Sequence, residues 1–199
     1  MGLHEVLEKN AKILAFRSKS ALENSALALS QLTNDAVTVG DPVVQVIRID
    51  TVLDMLRGNP NRLTVIELAV YGKIRGDIFL ILSHENTELL VGKVGSRLRR
   101  GSIDEDMVNS ILAEIGNIVA ASYVTILGQS FNATLIPSVP HVSRVDAETF
   151  RRDFLWKGGE HAEYTLMLVC EFFINKTGFT VYFLFLLPSH FIDSSLEEI

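Results

Sequence analysis

Three side chains stand out by type and spacing: Ser110, Glu114 and Asn117. On a helix, steps of four and three residues line them along one stripe. At about 100° per residue, Glu114 and Asn117 fall within roughly 60° of each other. Ala121 continues the stripe, while Ile111, Ile115, Ile118 and Val119 turn toward a presumed core. Such a helix offers water a carboxylate, which only accepts hydrogen bonds, and one turn away a carboxamide, which donates and accepts. Gly116, Ala120 and Ala121 are small enough for another surface to approach closely. A Glu-x-x-Asn pair is most often an ordinary solvated face. Asn is a poor helix former, however, so its place in mid-helix carries a small cost that the solvated face leaves unexplained.

Other chemistries find little purchase. The five histidines, His4, His84, His141, His161 and His190, have no metal-ligand spacing, and there is no Gly-x-Ser-x-Gly elbow or Gly-rich nucleotide loop. The single cysteine, Cys170, lies in the apolar run from Leu166 to Phe173; it excludes an internal disulfide, fits a reducing compartment and reads as a small core hydrophobe. With 48% hydrophobic and 21% charged residues in 199, the chain can bury a sizeable core. A net charge of −6 argues against nucleic acid, whose phosphates need Lys and Arg. The one basic run, Arg97, Arg99 and Arg100, reads as a solvated turn, with a docking patch for an acidic protein as the alternative. The first residues, MGLHEVLEKNAKIL, hold no signal-peptide apolar region, and the run Val181 to Leu187 is far short of the roughly 20 residues a membrane span takes. The expectation is a cytoplasmic protein without membrane insertion.

The elements that must position the stripe come in two similar sets. When Ile13-Leu14-Ala15 is laid on Ile111-Leu112-Ala113, Leu29 falls on Leu127, Gln31 on Gln129, Asn34 on Asn132 and Pro42 on Pro140, with no gap. Val6 to Leu32 and Met107 to Gly128 read as long helices, the second capped by Asp104 or Ser102. Asn34-Asp35 and Asn132 read as turns, followed by strands at Ala36 to Val39 and Val43 to Ile49, and at Thr134 to Ile136 and His141 to Val145. Asp50 to Leu56 reads as a short helix capped by Asp50 or Thr51. One hairpin joins Arg62 to Lys73 with Asp77 to Leu82 around Ile74-Arg75-Gly76. A second joins Glu163 to Ile174 with Thr180 to Leu187 through Asn175-Lys176-Thr177-Gly178. Each hairpin leads to a Ser-His pair, Ser83-His84 and Ser189-His190, and a helical stretch. Ser143 to Gly159 reads as a strand and a Gly-rich loop, with Trp156 a core or rim anchor. The expected fold is α/β (α+β). Two pseudo-symmetric halves, about 6–100 and 101–199, share one mostly antiparallel sheet covered by long helices, in a single domain over 1–199.

The stripe also resembles a family. The signature of the CheC-type phosphatases of bacterial and archaeal signalling is Asp or Ser, three residues, Glu, two residues, Asn, twenty-two residues and Pro. Ser110, Glu114, Asn117 and Pro140 stand at those positions, and Glu-Ile-Gly-Asn-Ile, residues 114 to 118, is typical of the family. The two-half layout is similar too. In the first half the signature positions hold Lys12, Phe16, Lys19 and Pro42, so only Pro42 survives. Phe16 cannot accept a hydrogen bond, and Lys19 cannot replace a carboxamide.

The resemblance implies a phosphatase acting on the phosphoaspartate of a CheY-like response regulator. Asn117 would orient the attacking water, Glu114 would pair with the receiver's active-site Lys, Ser110 would touch the edge of the site, and Pro140 would shape the nearby strand or turn. No cofactor of its own is implied; the Mg2+ would belong to the receiver. The alternative is a non-catalytic adaptor binding a receiver or a CheD-type chemotaxis partner. A flagellar switch component is the third reading; such proteins usually add a small β-rich domain, for which the chain after its last helical stretch leaves no room.

Overall fold

The computed structural model describes residues 3–57, 62–73, 75–97, 104–130, 132–155 and 164–186. A long helix, α1 (Leu3–Thr33), is followed by strands β1 (Val37–Val39) and β2 (Val43–Arg48) and helix α2 (Ile49–Arg57). The hairpin β3 (Leu63–Gly72) and β4 (Gly76–Leu82) leads to α3 (His84–Arg97). The second set begins with α4 (Glu105–Ser130), β5 (Leu135–Pro137) and β6 (His141–Val145). A helical turn, α5 (Ala147–Phe150), runs into a wider π-helical turn over Arg151–Leu155, and the hairpin β7 (Tyr164–Ile174) and β8 (Thr177–Leu186) follows.

All described strands form one eight-stranded sheet with every pairing antiparallel. The hairpins join at the centre, β4 against β8, with Leu80 opposite Phe183. Outside them, β1 and β2 run along β7, and β5 and β6 run along β3. The registers repeat. Val37, Val39 and Val43 face Ile174, Phe172 and Val169; their counterparts Leu135, Pro137 and His141 face Gly72, Val70 and Glu67. The halves are therefore related by a pseudo-two-fold axis through the β4–β8 pairing.

Side chains alternate across the pleat and feed two cores. Ile66, Leu68, Ile78, Leu80, Leu168 and Phe183 are buried under α1, α3 and α4. Their neighbours Val65, Phe79, Ile81, Met167 and Leu184 are buried on the opposite face with α2, Phe150 and Leu155. Burial leaves Cys170 fully enclosed and pushes its thiol up to about 12, as expected of a core residue. Among the described residues α4 is the one helix long and apolar enough to cross a membrane, and 56% of that stretch is buried inside the fold.

Several boundaries differ from the expectation, each for a local reason. The second hairpin turns in two residues, not four: Asn175 and Lys176 both have positive φ, 49° and 72°, the twist that matches flanking strands, so Thr177 and Gly178 join β8. Helix α2 begins at Ile49, which puts Asp50 and Thr51 inside the first turn instead of at the cap. The stretch after β6 is helical where a Gly-rich loop was expected: Asp146 caps it by accepting from Thr149 N–H at 2.7 Å, and Phe150 is buried. Ser102, Ile74, Arg99, Arg100, Trp156 to Gly159, Ser189 and His190 lie outside the described residues.

Asp35, in the turn after α1, ties three elements together. Its carboxylate accepts from Lys93 Nζ of α3 at 2.9 Å and from Asn175 Nδ2 of the β7–β8 turn at 2.7 Å. The Lys93 ammonium, with the Asn175 amide, holds the carboxyl below its usual range. A depressed folded pKa gives stability that is present above the ordinary carboxylate pKa and lost as pH falls through the lower folded value. Asp35→Asn should therefore unfold at lower denaturant than the unmodified chain at pH 7. The two midpoints should converge below about pH 4, as chemical denaturation across a pH series will show.

Candidate functional site

Helix α4 is fixed at both ends. At its start, Asp104 Oδ1 accepts from Met107 N–H at 2.8 Å, and Glu105 and Asp106 place negative charge at the positive end of the helix dipole. Arg144 of β6 reaches Glu105 Oε1 at 3.3 Å and Asn109 Oδ1 at 3.2 Å. At its end, Asn132 takes the left-handed conformation (φ 48°) and Ala133 N–H returns to the Gly128 carbonyl at 2.8 Å. Along its length α4 packs on α1, where Ser25 Oγ donates to Ser122 Oγ at 2.7 Å.

One face of α4 is core: Ile111, Leu112, Ile115, Val119, Ala120, Tyr123 and Leu127 are buried. The small residues have a different use from the one expected. Gly116 and Ala120 lie inside, so it is the protein's own sheet that approaches closely, and only Ala121 is exposed. A Cβ built on Gly116 would stand 2.7 Å from Ile66 Cγ2, so any side chain there would force Ile66 or the helix to shift.

The opposite face carries the stripe. Ser110, Glu114, Asn117 and Ala121 are all exposed. Ser110 Oγ donates to the Asp106 carbonyl of its own helix at 2.9 Å. Among the described residues, neither the Glu114 carboxylate nor the Asn117 carboxamide has a side-chain partner. Both groups can therefore engage an outside molecule without breaking an internal bond. Among the described residues no three His, Cys, Asp or Glu side chains gather into a metal-sized cluster.

Half-buried Pro140 ends a bulge. Between the pairs Val70–Pro137 and Glu67–His141, the residues Ser138, Val139 and Pro140 oppose only Leu68 and Ala69. Pro fits there because it has no N–H to place in a ladder. Ser138 clamps the bulge: its N–H donates to Ala69 O at 2.8 Å, and its Oγ accepts from Ala69 N–H at 3.0 Å. The first half has the same bulge at Gly40, Asp41 and Pro42, with Gly40 N–H on Glu171 O at 2.8 Å.

At the matching helix positions the first half is different. Phe16, in the place of Glu114, is 89% exposed. Lys19, in the place of Asn117, donates to Asp41 Oδ1 at 2.6 Å, and this pairing lowers the Asp41 pKa and raises that of Lys19. The counterpart of Asp41 is Val139, which the sequence reading passed over; it is 85% exposed.

Comparison with known proteins accords with this geometry. Residues 107–144, which span the stripe and the bulge, match the family model described as CheC-like. The chain is 30% identical over 143 residues to the CheY-P phosphatase CheC of Bacillus subtilis (strain 168), covering 69% of this chain and 68% of that protein. The fold matches FliY of Thermotoga maritima with a TM-score of 0.72 at 14% identity, over 94% of each chain. It matches the FliM middle domain from H. pylori with a TM-score of 0.60 at 12% identity, over 98% of each. Fold and sequence together define a two-half helix-on-sheet protein of the kind shared by these proteins. Within that class, the chain belongs to the CheC-like family.

The close contact of Gly116 with Ile66 is testable. Gly116→Ala should cost about 1–3 kcal/mol of stability through overpacking. Combined with Ile66→Ala it should cost less than the sum of the two single changes, because the second removes the obstructing methyl groups. Urea denaturation of the four proteins measures this.

Proposed function

We propose that this chain is a phosphatase that hydrolyses the phosphoaspartate of a CheY-like response regulator, in the cytoplasm, as part of a chemotaxis or two-component pathway. The observation that carries the reading is the unpartnered, exposed pair Glu114 and Asn117, one turn apart on a helix whose other face is locked in the core. The kinship with the CheY-P phosphatase of Bacillus subtilis supplies the substrate class.

An acyl phosphate is already activated, so its hydrolysis depends mainly on positioning and charge stabilisation. In the docked complex the Asn117 carboxamide holds a water in line with the phosphorus. The water oxygen bonds to phosphorus as the P–O bond to the aspartyl group breaks. The aspartate leaves as a carboxylate, and inorganic phosphate keeps the water's protons until solvent takes one. Glu114 anchors the receiver by pairing with its active-site Lys, a pair whose worth depends on geometry once desolvated. Ser110 contacts the edge of the site, and Pro140 holds the bulge beside it. A Mg2+ held by the receiver would supply charge neutralisation at the phosphoryl oxygens.

A second reading is an adaptor that binds a receiver or a CheD-type partner without turnover. The Lys19–Asp41 ion pair favours it, since one of two equivalent positions has already given up the polar pair. Phosphate release from phosphorylated CheY separates the two. Catalysis above spontaneous decay supports the phosphatase, and binding without acceleration supports the adaptor. Asn117→Ala should lower kcat on the order of 10²–10³-fold with the fold intact. Glu114→Ala should raise KM as well as lower turnover. Full activity of the first variant removes Asn117 from the site, and an unchanged KM in the second removes the anchoring role of Glu114.

A further inference from the structure

We infer that Val139 is an apolar docking contact for the phosphorylated receiver, held beside Asn117 by the Ser138–Ala69 clamp; this rests on the receiver-binding reading above. Single exposed apolar residues are common and by themselves mean little. Three observations set this one apart.

The first is position. The helices and bulges of the two halves correspond without a gap: Leu14 and Leu112 are both fully buried, as are Leu29 and Leu127, and Pro42 and Pro140 each end a bulge of the same register. Lys19 and Asp41 stand in the places of Asn117 and Val139, and they meet at 2.6 Å. In the first half the tip of the bulge is thus within a lysine's reach of that helix position, and the shared register puts Val139 on the same edge as Asn117.

The second is rigidity. Val139 sits between Ser138, bonded twice to Ala69, and Pro140, whose φ is fixed. A side chain on so constrained a backbone loses little backbone entropy when a partner covers it.

The third is contrast. In the first half the same two positions satisfy each other as an ion pair, and the exposed apolar residue there, Phe16, stands instead in the place of Glu114. In the second half Asn117 has no internal partner, and Val139 is 85% exposed. An amide next to small Ala121 and an exposed valine form a surface with a polar point and an apolar shoulder. That suits a receiver whose phosphorylated pocket takes Asn117 while apolar side chains at the pocket's rim cover Val139.

The test uses the full chain and Bacillus subtilis CheY, phosphorylated with acetyl phosphate for turnover or loaded with beryllofluoride for binding. Val139→Ser, which removes apolar surface without adding charge, should weaken binding and raise KM on the order of tenfold with kcat nearly unchanged. Val139→Asp should weaken both further. Asp41→Val, at the equivalent bulge, should change neither, and circular dichroism should show all three folded. If Val139→Ser binds and turns over like the unmodified chain while Asn117→Ala is inactive, the docking role of Val139 fails and the phosphatase reading stands. If the unmodified chain neither binds nor dephosphorylates CheY, both fail together. If Asp41→Val weakens binding as much as Val139→Ser, the contact is not specific to the second half and the inference is overturned.

Discussion

The arrangement depends on how closely α4 can lie on the sheet. A helix that must bury Ile111, Leu112, Ile115, Val119, Tyr123 and Leu127 has little freedom to rotate about its axis, because each of these is 5% exposed or less. Gly116 sets the distance: with no side chain it lets the helix backbone settle against Ile66, and a Cβ there would stand 2.7 Å from that residue's methyl carbon. The direction in which Glu114 and Asn117 point is therefore a consequence of core packing on the far side of the same helix. Asp104 at one end and Asn132 at the other stop the helix sliding or fraying, so the two polar groups are presented from a rigid element.

The pseudo-two-fold axis makes the second half interpretable through the first. Backbone registers, bulges and helix ends correspond, so differences between the halves are differences of side chain on a common frame. At the helix position that follows the buried Ser18 or Gly116, one half has Lys19 and the other Asn117; at the bulge tip, one has Asp41 and the other Val139. In one half these side chains neutralise each other. In the other the polar group is left without a partner and the apolar one is left in water. Both unmet preferences are weak alone, but they lie on the same edge, which is the pattern expected where an outside molecule completes the surface.

Much of this was legible in the sequence, and the failures have local causes. The long helices were readable because their apolar spacing runs over many turns, and the halves because buried leucines and turn asparagines recur in phase. The antiparallel sheet followed from two hairpins with short connections. The turn at Asn175-Lys176 was overextended because Thr177 and Gly178 also favour turns; a lysine at positive φ is hard to anticipate when a glycine stands close by. The helical segment after Val145 was missed because its charged residues alternate with apolar ones and the capping role of Asp146 was overlooked. Gly116 and Ala120 were read as making room for an outside surface, whereas both are buried and the space at Gly116 belongs to Ile66 of β3; small residues show that something comes close but not what. Ser110, Glu114 and Asn117 were legible as one exposed stripe because helical geometry alone fixes it. Val139 was not, because one valine in a loop has no periodicity to reveal it.

The fold itself does not choose the chemistry. The FliM middle domain and FliY share this architecture at 12% and 14% identity, so the fold holds while nearly all the side chains it carries differ. The choice within this chain lies in a few exposed positions on two equivalent edges. The edges differ at Ser110 and Lys12, Glu114 and Phe16, Asn117 and Lys19, and Val139 and Asp41, and on the second edge Ser110, Glu114, Asn117 and Val139 all lie outside the core. A repeat can therefore differ at its polar pair while retaining Pro42, its bulge and its buried leucines. Stability constrains the frame, whereas the outward stripe answers only to what docks against it.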